Sequence, residues 1–166
     1  MSNQPHTLVE VAKIVVKAAV ASKKLLVTAE SCTGGMIASA LTQVAGSSTT
    51  FQAGFITYSN EAKCQLLGVP ADTINEFGAV SAPVSAAMAE GALAVTSADI
   101  AISVTGIAGP TGGTEKKPVG LVFLALAENS MDTRVKRKIL TGNRDEIRHA
   151  AVATALNILK YRLEKG

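Results

Sequence analysis

The sequence predicts an α/β fold, a three-layer α/β/α sandwich on a largely parallel, mixed sheet. Three observations carry that expectation. Short apolar runs of strand length alternate with helically spaced apolar stripes along most of the chain. Hydrophobic residues make up 48% and aromatics only 4%, so Ala, Val, Leu and Ile must build the core, as they do where helices cover a buried sheet. The 166 residues fit one domain, 1–166, that buries roughly two-thirds of the surface of its unfolded form.

Leu8, Val11, Val15 and Ala18/Ala19 recur at helical spacing, so 7–22 reads as a helix, with Lys23 and Lys24 suiting the negative end of its dipole. Leu25 to Ala29 has the length of a buried strand, and Met36, Ile37, Ala40, Leu41 and Val44 then share a helical face. Gly46-Ser47-Ser48 ends that helix. Phe51 to Ser59 is a second strand, rich in aromatic and β-branched residues. Asn60 is the expected N-cap of a helix over 60–67, with Glu61 in its first turn and Gly68 closing it.

Residues 70–77 form a short helix or turn closed by Gly78, and Ser81 caps a helix from Pro83 to Thr96. Asp99 to Thr105 is a third strand that leads into a glycine-rich loop. Val119 to Ala127 and Arg134 to Leu140 form a hairpin around 128–133, its basic second arm suited to a sheet edge. Val152, Leu156, Leu159 and Leu163 mark the buried stripe of a last helix over 143–164.

A formal charge of +3, from 16 basic and 13 acidic residues, is too slight to indicate nucleic acid, and no RNA-binding aromatic pattern accompanies it. No apolar run reaches the ~18 residues of a membrane span. Cys32 and Cys64 are the only cysteines and nothing at the N-terminus resembles a signal peptide, so a reducing, cytoplasmic location is expected. The cysteines and His6 and His149 make no zinc spacing. The expectation is an enzyme with no metal and no cofactor.

In an open α/β sheet the loops at the carboxyl ends of the strands converge on one rim. Ser31, Tyr58 and the Gly106–Gly113 loop all follow expected strands. A serine hydroxyl needs a neighbouring base to attack a carbonyl. His6 lies near the N-terminus and His149 in mid-helix, and no Gly-x-Ser-x-Gly elbow occurs. Lysine replaces histidine where burial lowers its pKa, and Lys63, five residues beyond Tyr58, is the best-placed candidate. Tyr58 is placed to relay or orient a proton. The start of the following helix, with Thr33, Gly34 and Gly35, offers backbone N–H groups for an oxyanion hole. A thiolate nucleophile at Cys32 is the rival reading.

The glycine loop is neither a Walker A sequence nor Gly-x-Gly-x-x-Gly. Its Gly106, Gly109, Gly112 and Gly113 permit close backbone approach, and Thr105, Thr111 and Thr114 add hydroxyls suited to phosphate or ribose oxygens. Arg144 and Arg148 share a helix face from which either can grip a phosphate. Together these features indicate a hydrolase acting on a small phosphorylated molecule.

The stretches Thr28-Ala29-Glu30-Ser31-Cys32-Thr33-Gly34-Gly35, Gly46-Ser47-Ser48, Tyr58-Ser59-Asn60-Glu61-Ala62-Lys63, Gly78-Ala79-Val80-Ser81 and Gly106-Ile107-Ala108-Gly109-Pro110 through Lys117-Pro118-Val119-Gly120 resemble the CinA C-terminal domain family over about residues 8–163. The resemblance implies hydrolysis of the carboxamide of nicotinamide mononucleotide to nicotinate mononucleotide and ammonia, a step of pyridine-nucleotide recycling. It also implies Ser31 as nucleophile, Lys63 as its base and Tyr58 as an assisting proton-transfer group. The pyrophosphatase-like domain of the longer family members is not expected here. The expected partners are a pyridine-nucleotide substrate and a second copy of the chain, a dimer first among homo-oligomers. The alternative is a catalytically silent paralogue that binds pyridine nucleotides as a regulatory or partner-binding module.

Overall fold

The computed structural model describes residues 7–165, so His6 lies outside it. Six helices, α1 (Leu8–Ser22), α2 (Met36–Thr42), α3 (Asn60–Leu67), α4 (Ala71–Phe77), α5 (Ala82–Ala94) and α6 (Arg144–Glu164), surround five strands, β1 (Leu26–Glu30), β2 (Phe51–Ile56), β3 (Ile100–Gly106), β4 (Leu121–Glu128) and β5 (Arg134–Ile139). The sheet order is β2-β1-β3-β4-β5. β1 pairs in parallel with β2 and β3, whereas β4 runs antiparallel to β3 and β5 antiparallel to β4. This is the mixed α/β sheet expected, with its antiparallel part confined to the hairpin side.

Each face of the sheet buries a different surface. On one, α1, α2 and α6 cover Leu26, Ile100, Ile102, Val104, Val122 and Leu124. On the other, α3, α4 and α5 meet a smoother surface rich in alanine, including Ala29, Ala101, Ala125 and Ala127. Small residues let α5 approach closely, and at Gly91 that closeness is extreme: a Cβ there would lie 1.9 Å from the Leu67 carbonyl oxygen of α3. β1 and nearly all of β3 are buried along their length, so their apolar character is continuous and not alternating. β2, at one edge, alternates between half-buried and exposed residues, and β5, at the other, is exposed throughout.

Local chemistry sets the element ends. Thr7 and Glu10 form a reciprocal capping box on α1, and Asn143 and Glu146 do the same on α6. The cap of α3 is Ser59, whose Oγ accepts from Ala62 N at 3.0 Å, and Asn60 is already helical. Both residue types cap well, so the expected cap shifts by one position. The second strand stops at Ile56, and residues 57–59 turn towards α3. That turn carries the site.

The chain leaves the carboxyl end of β1 towards β2 and that of the neighbouring β3 towards β4, opposite directions along the sheet, the arrangement that opens a crevice at the top of an α/β sheet. In register, Glu30 lies beside Ile56 on one side and Val104 on the other. The residues that follow these strands are thereby gathered at one rim.

Candidate active site

The turn after β1 is held from three directions. Ser31 N–H donates to Val104 O at 2.9 Å, which extends the ladder to β3, and Thr57 N–H donates to Glu30 O at 2.8 Å, which extends the ladder to β2. The Glu30 carboxylate is wholly buried and folds back over the start of α2. It accepts from Thr33 Oγ1 (2.7 Å), Gly35 N (3.1 Å), Ile37 N (3.1 Å) and Ala38 N (2.8 Å). A carboxylate that takes up the unpaired N–H groups at a helix start also opposes the positive end of its dipole. Gly35, the N-cap residue, has φ +93°, and a Cβ on it would come within 2.8 Å of Ile56 Cδ1; glycine is required there on both counts.

From the far side, Arg148 of α6 donates from Nε to Cys32 O at 3.1 Å and from Nη2 to Thr33 O at 3.2 Å. Its Nη1 lies 3.7 Å from Asp145. The guanidinium is therefore occupied with the backbone of the turn after β1. Capping by Glu30 relieves Ser31 of that duty.

Lys63 of α3 reaches this turn from β2's side of the sheet. Its side chain is 1% exposed, with Nζ 2.8 Å from Thr57 O and 3.2 Å from Ser31 Oγ. Burial pushes the lysine pKa below its ordinary value, against smaller opposing effects of Cys32 and Cys64. A neutral amine at that distance can accept the serine proton, and the Thr57 carbonyl holds one of its own N–H groups. Cys32, by contrast, is pushed up to about 11, chiefly by burial and further by Glu30, against its own backbone amide, Arg148 and Lys63. At neutral pH it remains a thiol, the less reactive form.

These groups line a cavity of about 210 Å³ together with Cys32, Tyr58, Asn60, Ala79, Val80, Thr105, Gly106, Ala108 and Arg144. Tyr58 is 62% exposed at its mouth, and its hydroxyl accepts from Arg144 Nη2 at 3.0 Å. Arg144 Nη1 donates to Gly109 O at 2.8 Å, so one guanidinium links the tyrosine to the glycine loop. Thr105 Oγ1 is buried and donates to Ala79 O at 2.9 Å.

Of the residues singled out from sequence, Ser31, Tyr58, Lys63, Thr105, Gly106 and Arg144 line this cavity. Thr33, Gly34 and Gly35 shape the turn beneath it, Gly109 meets it through Arg144, and Arg148 supports it from behind. Gly112 and Gly113 stand apart in the outer loop and are not among the lining residues. The helix-start N–H groups expected to face a reacting oxyanion are largely taken, those of Gly35, Ile37 and Ala38 by Glu30 and that of Gly34 by Ser31 O. Among the described residues, no group of three or more His, Cys, Asp and Glu is arranged to hold a metal ion.

Sequence reasoning passed over Glu30 as a cap, the Thr57 carbonyl, and the Ala79–Val80 wall. The motif containing Glu30 was visible, but a strand residue capping the next helix has no fixed spacing signature. Nothing in the residue types at 79 and 80 marks a wall.

Comparison with known proteins gives the chain's family. The model of the CinA C-terminal domain matches residues 8–163. The nicotinamide-nucleotide amidohydrolase PncC of Escherichia coli K12 is 52% identical over 132 residues, 80% of each chain. A CinA-like protein of Citrifermentans bemidjiense is 56% identical over 138 residues, 83% of this chain but 33% of that longer protein. Among solved structures, competence/damage inducible protein CihA from Agrobacterium tumefaciens superposes with a TM-score of 0.91 at 44% identity, covering 99% of both chains. The competence damage-inducible protein A from Klebsiella pneumoniae gives 0.92 at 38% identity, covering 96% of this chain and 98% of that one. The family model over residues 8–163 and these relatives show one kinship: the chain belongs to the CinA C-terminal domain family.

Proposed function

We propose that this chain is a nicotinamide-nucleotide amidohydrolase that converts nicotinamide mononucleotide and water to nicotinate mononucleotide and ammonia through a Ser31 acyl-enzyme. The observation that carries the reading is the buried Lys63 amine 3.2 Å from Ser31 Oγ, in a chain 52% identical to a protein named for that activity.

In the first half-reaction Ser31 Oγ attacks the carboxamide carbon as its proton passes to neutral Lys63 Nζ. The C–N bond then breaks, the amide nitrogen takes a proton, with Lys63 as donor and Tyr58 assisting, and ammonia leaves an ester on Ser31. Water attacks that ester with Lys63 again as base, releasing the carboxylate and restoring the serine hydroxyl. The developing oxyanion needs N–H donors not already engaged. The Cys32 and Thr33 amides, which have no protein carbonyl or carboxylate acceptor among the described residues, are the available pair in the turn. Arg144, which lines the cavity, and the glycine loop are the groups suited to the nucleotide phosphate, since Arg148 is not among the lining residues and bonds Cys32 O and Thr33 O beneath it. The expected dimer meets least repulsion along β2, whose residues are uncharged, and most along β5, which carries Arg134, Lys136, Arg137 and Lys138.

The test is ammonia release from the mononucleotide, the riboside and the dinucleotide, coupled to mass spectrometry of the Ser31 peptide during turnover. The expected result is turnover of the mononucleotide and a nicotinoyl-nucleotide adduct on Ser31. Tight binding without ammonia release would favour the silent binding module instead.

A further inference from the structure

One wall of the cavity is formed where α4 ends at Phe77 and an irregular stretch leads on towards α5; residues 77–80 make it up. It supplies Ala79 and Val80 to the site. All four of its carbonyls accept from side chains. Ser81 Oγ donates to Gly78 O at 2.8 Å and Thr105 Oγ1 to Ala79 O at 2.9 Å. Lys117 Nζ takes the outer two, Phe77 O at 2.6 Å and Val80 O at 2.8 Å. Beyond the helix-closing bond from Gly78 N–H to Ile74 O at 2.8 Å, the segment has no ladder or helix bonds of its own, and such donors dictate its shape.

Lys117 reaches this wall from the far end of the glycine loop, where its own N–H donates to Thr114 Oγ1 at 3.0 Å and its carbonyl accepts from Thr114 N at 2.8 Å. The turn therefore aims the ammonium at the wall. Ammonium bonds to two carbonyls are charge-assisted and stronger than neutral ones. Gly78, at φ +77°, has no Cβ, and one placed there would come within 2.9 Å of Nζ.

We propose that Lys117 is a positioning residue for the hydrolysis described above, an inference that rests on that reading. Its ammonium ties the glycine loop to the 77–80 wall and sets the width of the cleft between Val80 and Ser31. The tie acts on substrate placement and leaves the Ser31–Lys63 pair untouched. Neither the Ala79 nor the Val80 amide has a protein acceptor among the described residues, which leaves both available to a substrate once the carbonyls are anchored.

Lys117→Met and Lys117→Arg in the full chain test this in two ways. With nicotinamide mononucleotide as substrate, Lys117→Met is expected to lower kcat/KM about 10- to 100-fold, mainly through KM, with the pH profile of kcat unmoved and Lys117→Arg recovering most of the loss. Independently of any activity, amide hydrogen exchange in the peptide spanning 74–86 is expected to quicken in Lys117→Met and to return towards wild type in Lys117→Arg. A Lys117→Met enzyme with wild-type KM and unchanged exchange at 74–86 overturns the proposal. Should wild type release no ammonia, the hydrolytic reading fails by itself, and exchange alone decides whether Lys117 holds the wall.

Discussion

Two concave surfaces of this molecule differ in size and in chemistry. The cavity at the strand ends holds about 210 Å³, and three of its polar side chains, Lys63, Ser31 and Thr105, are buried and bonded to one another or to backbone. The groove between β5 and α6 holds about 980 Å³ and is lined by Arg134, Lys136, Lys138, Lys160, Arg162 and Lys165. Most of its cations stand in water, where charge costs little and changes little. Two are partnered, Arg162 in a two-pronged bond to Glu128 at 2.7 and 2.9 Å and Lys165 over the Tyr161 ring at 4.5 Å. The larger and more charged surface is thus the chemically quieter one, and what marks the smaller is a buried amine whose pKa desolvation lowers. The charge on β5 has a sufficient explanation in keeping an exposed strand from pairing with another chain.

Mutations separate the two surfaces. Ser31→Ala is expected to have the largest effect, a loss of about 10⁴-fold or more in kcat with the substrate still bound, measured by ammonia release and calorimetry. Lys63→Met follows at about 10²- to 10⁴-fold. If Lys63 is the base, as proposed, it must be unprotonated, so kcat/KM should rise with pH through the lowered lysine pKa and fall away on its acid side. Because the shift is downward, the midpoint must lie below the ordinary lysine value of about 10.4. A midpoint at or above that value would remove Lys63 from the role of base.

Glu30→Ala should cost about 3 kcal/mol or more, since it leaves three helix-start N–H groups without their acceptor. For a chain of this length that corresponds to a fall of about 6–12 °C in Tm by thermal unfolding. Cys32→Ala should keep activity within about threefold, because a thiol with its pKa near 11 is not the nucleophile. At the bottom of the scale, Lys136→Ala with Lys138→Ala in the groove should leave kcat/KM within about twofold and Tm within about 2 °C. A large loss of activity there would break the contrast between the two surfaces.

The alternation of strands and helices was open to reading from residue order because it rests on local periodicity. Apolar positions at helical spacing in α1 and α6, and short apolar runs in β1 and β3, need only a few neighbouring residues to be recognised. The same locality explains the small misses. Ser59 and Asn60 are both good caps, and local preference does not choose between adjacent candidates. Position after a strand is also enough to nominate Ser31 and Tyr58, since strand ends in such sheets face one rim, and Lys63 follows from its place five residues beyond Tyr58 and from the lack of a suitable histidine.

Other contacts had no local trace. Residue order alone encodes which segments become strands and helices and which reactive side chains stand at their ends, because those properties arise within a turn or two of chain. Folding settles the strand order β2-β1-β3-β4-β5, the meeting of Lys63 with Ser31 across 32 positions, the diversion of Arg148 to the turn at Cys32 and Thr33, and the reach of Lys117 to Phe77 and Val80. Each depends on hydrogen bonds and desolvation between groups far apart in sequence, and a side chain's protonation and partners exist only once the packed sheet has excluded water around it.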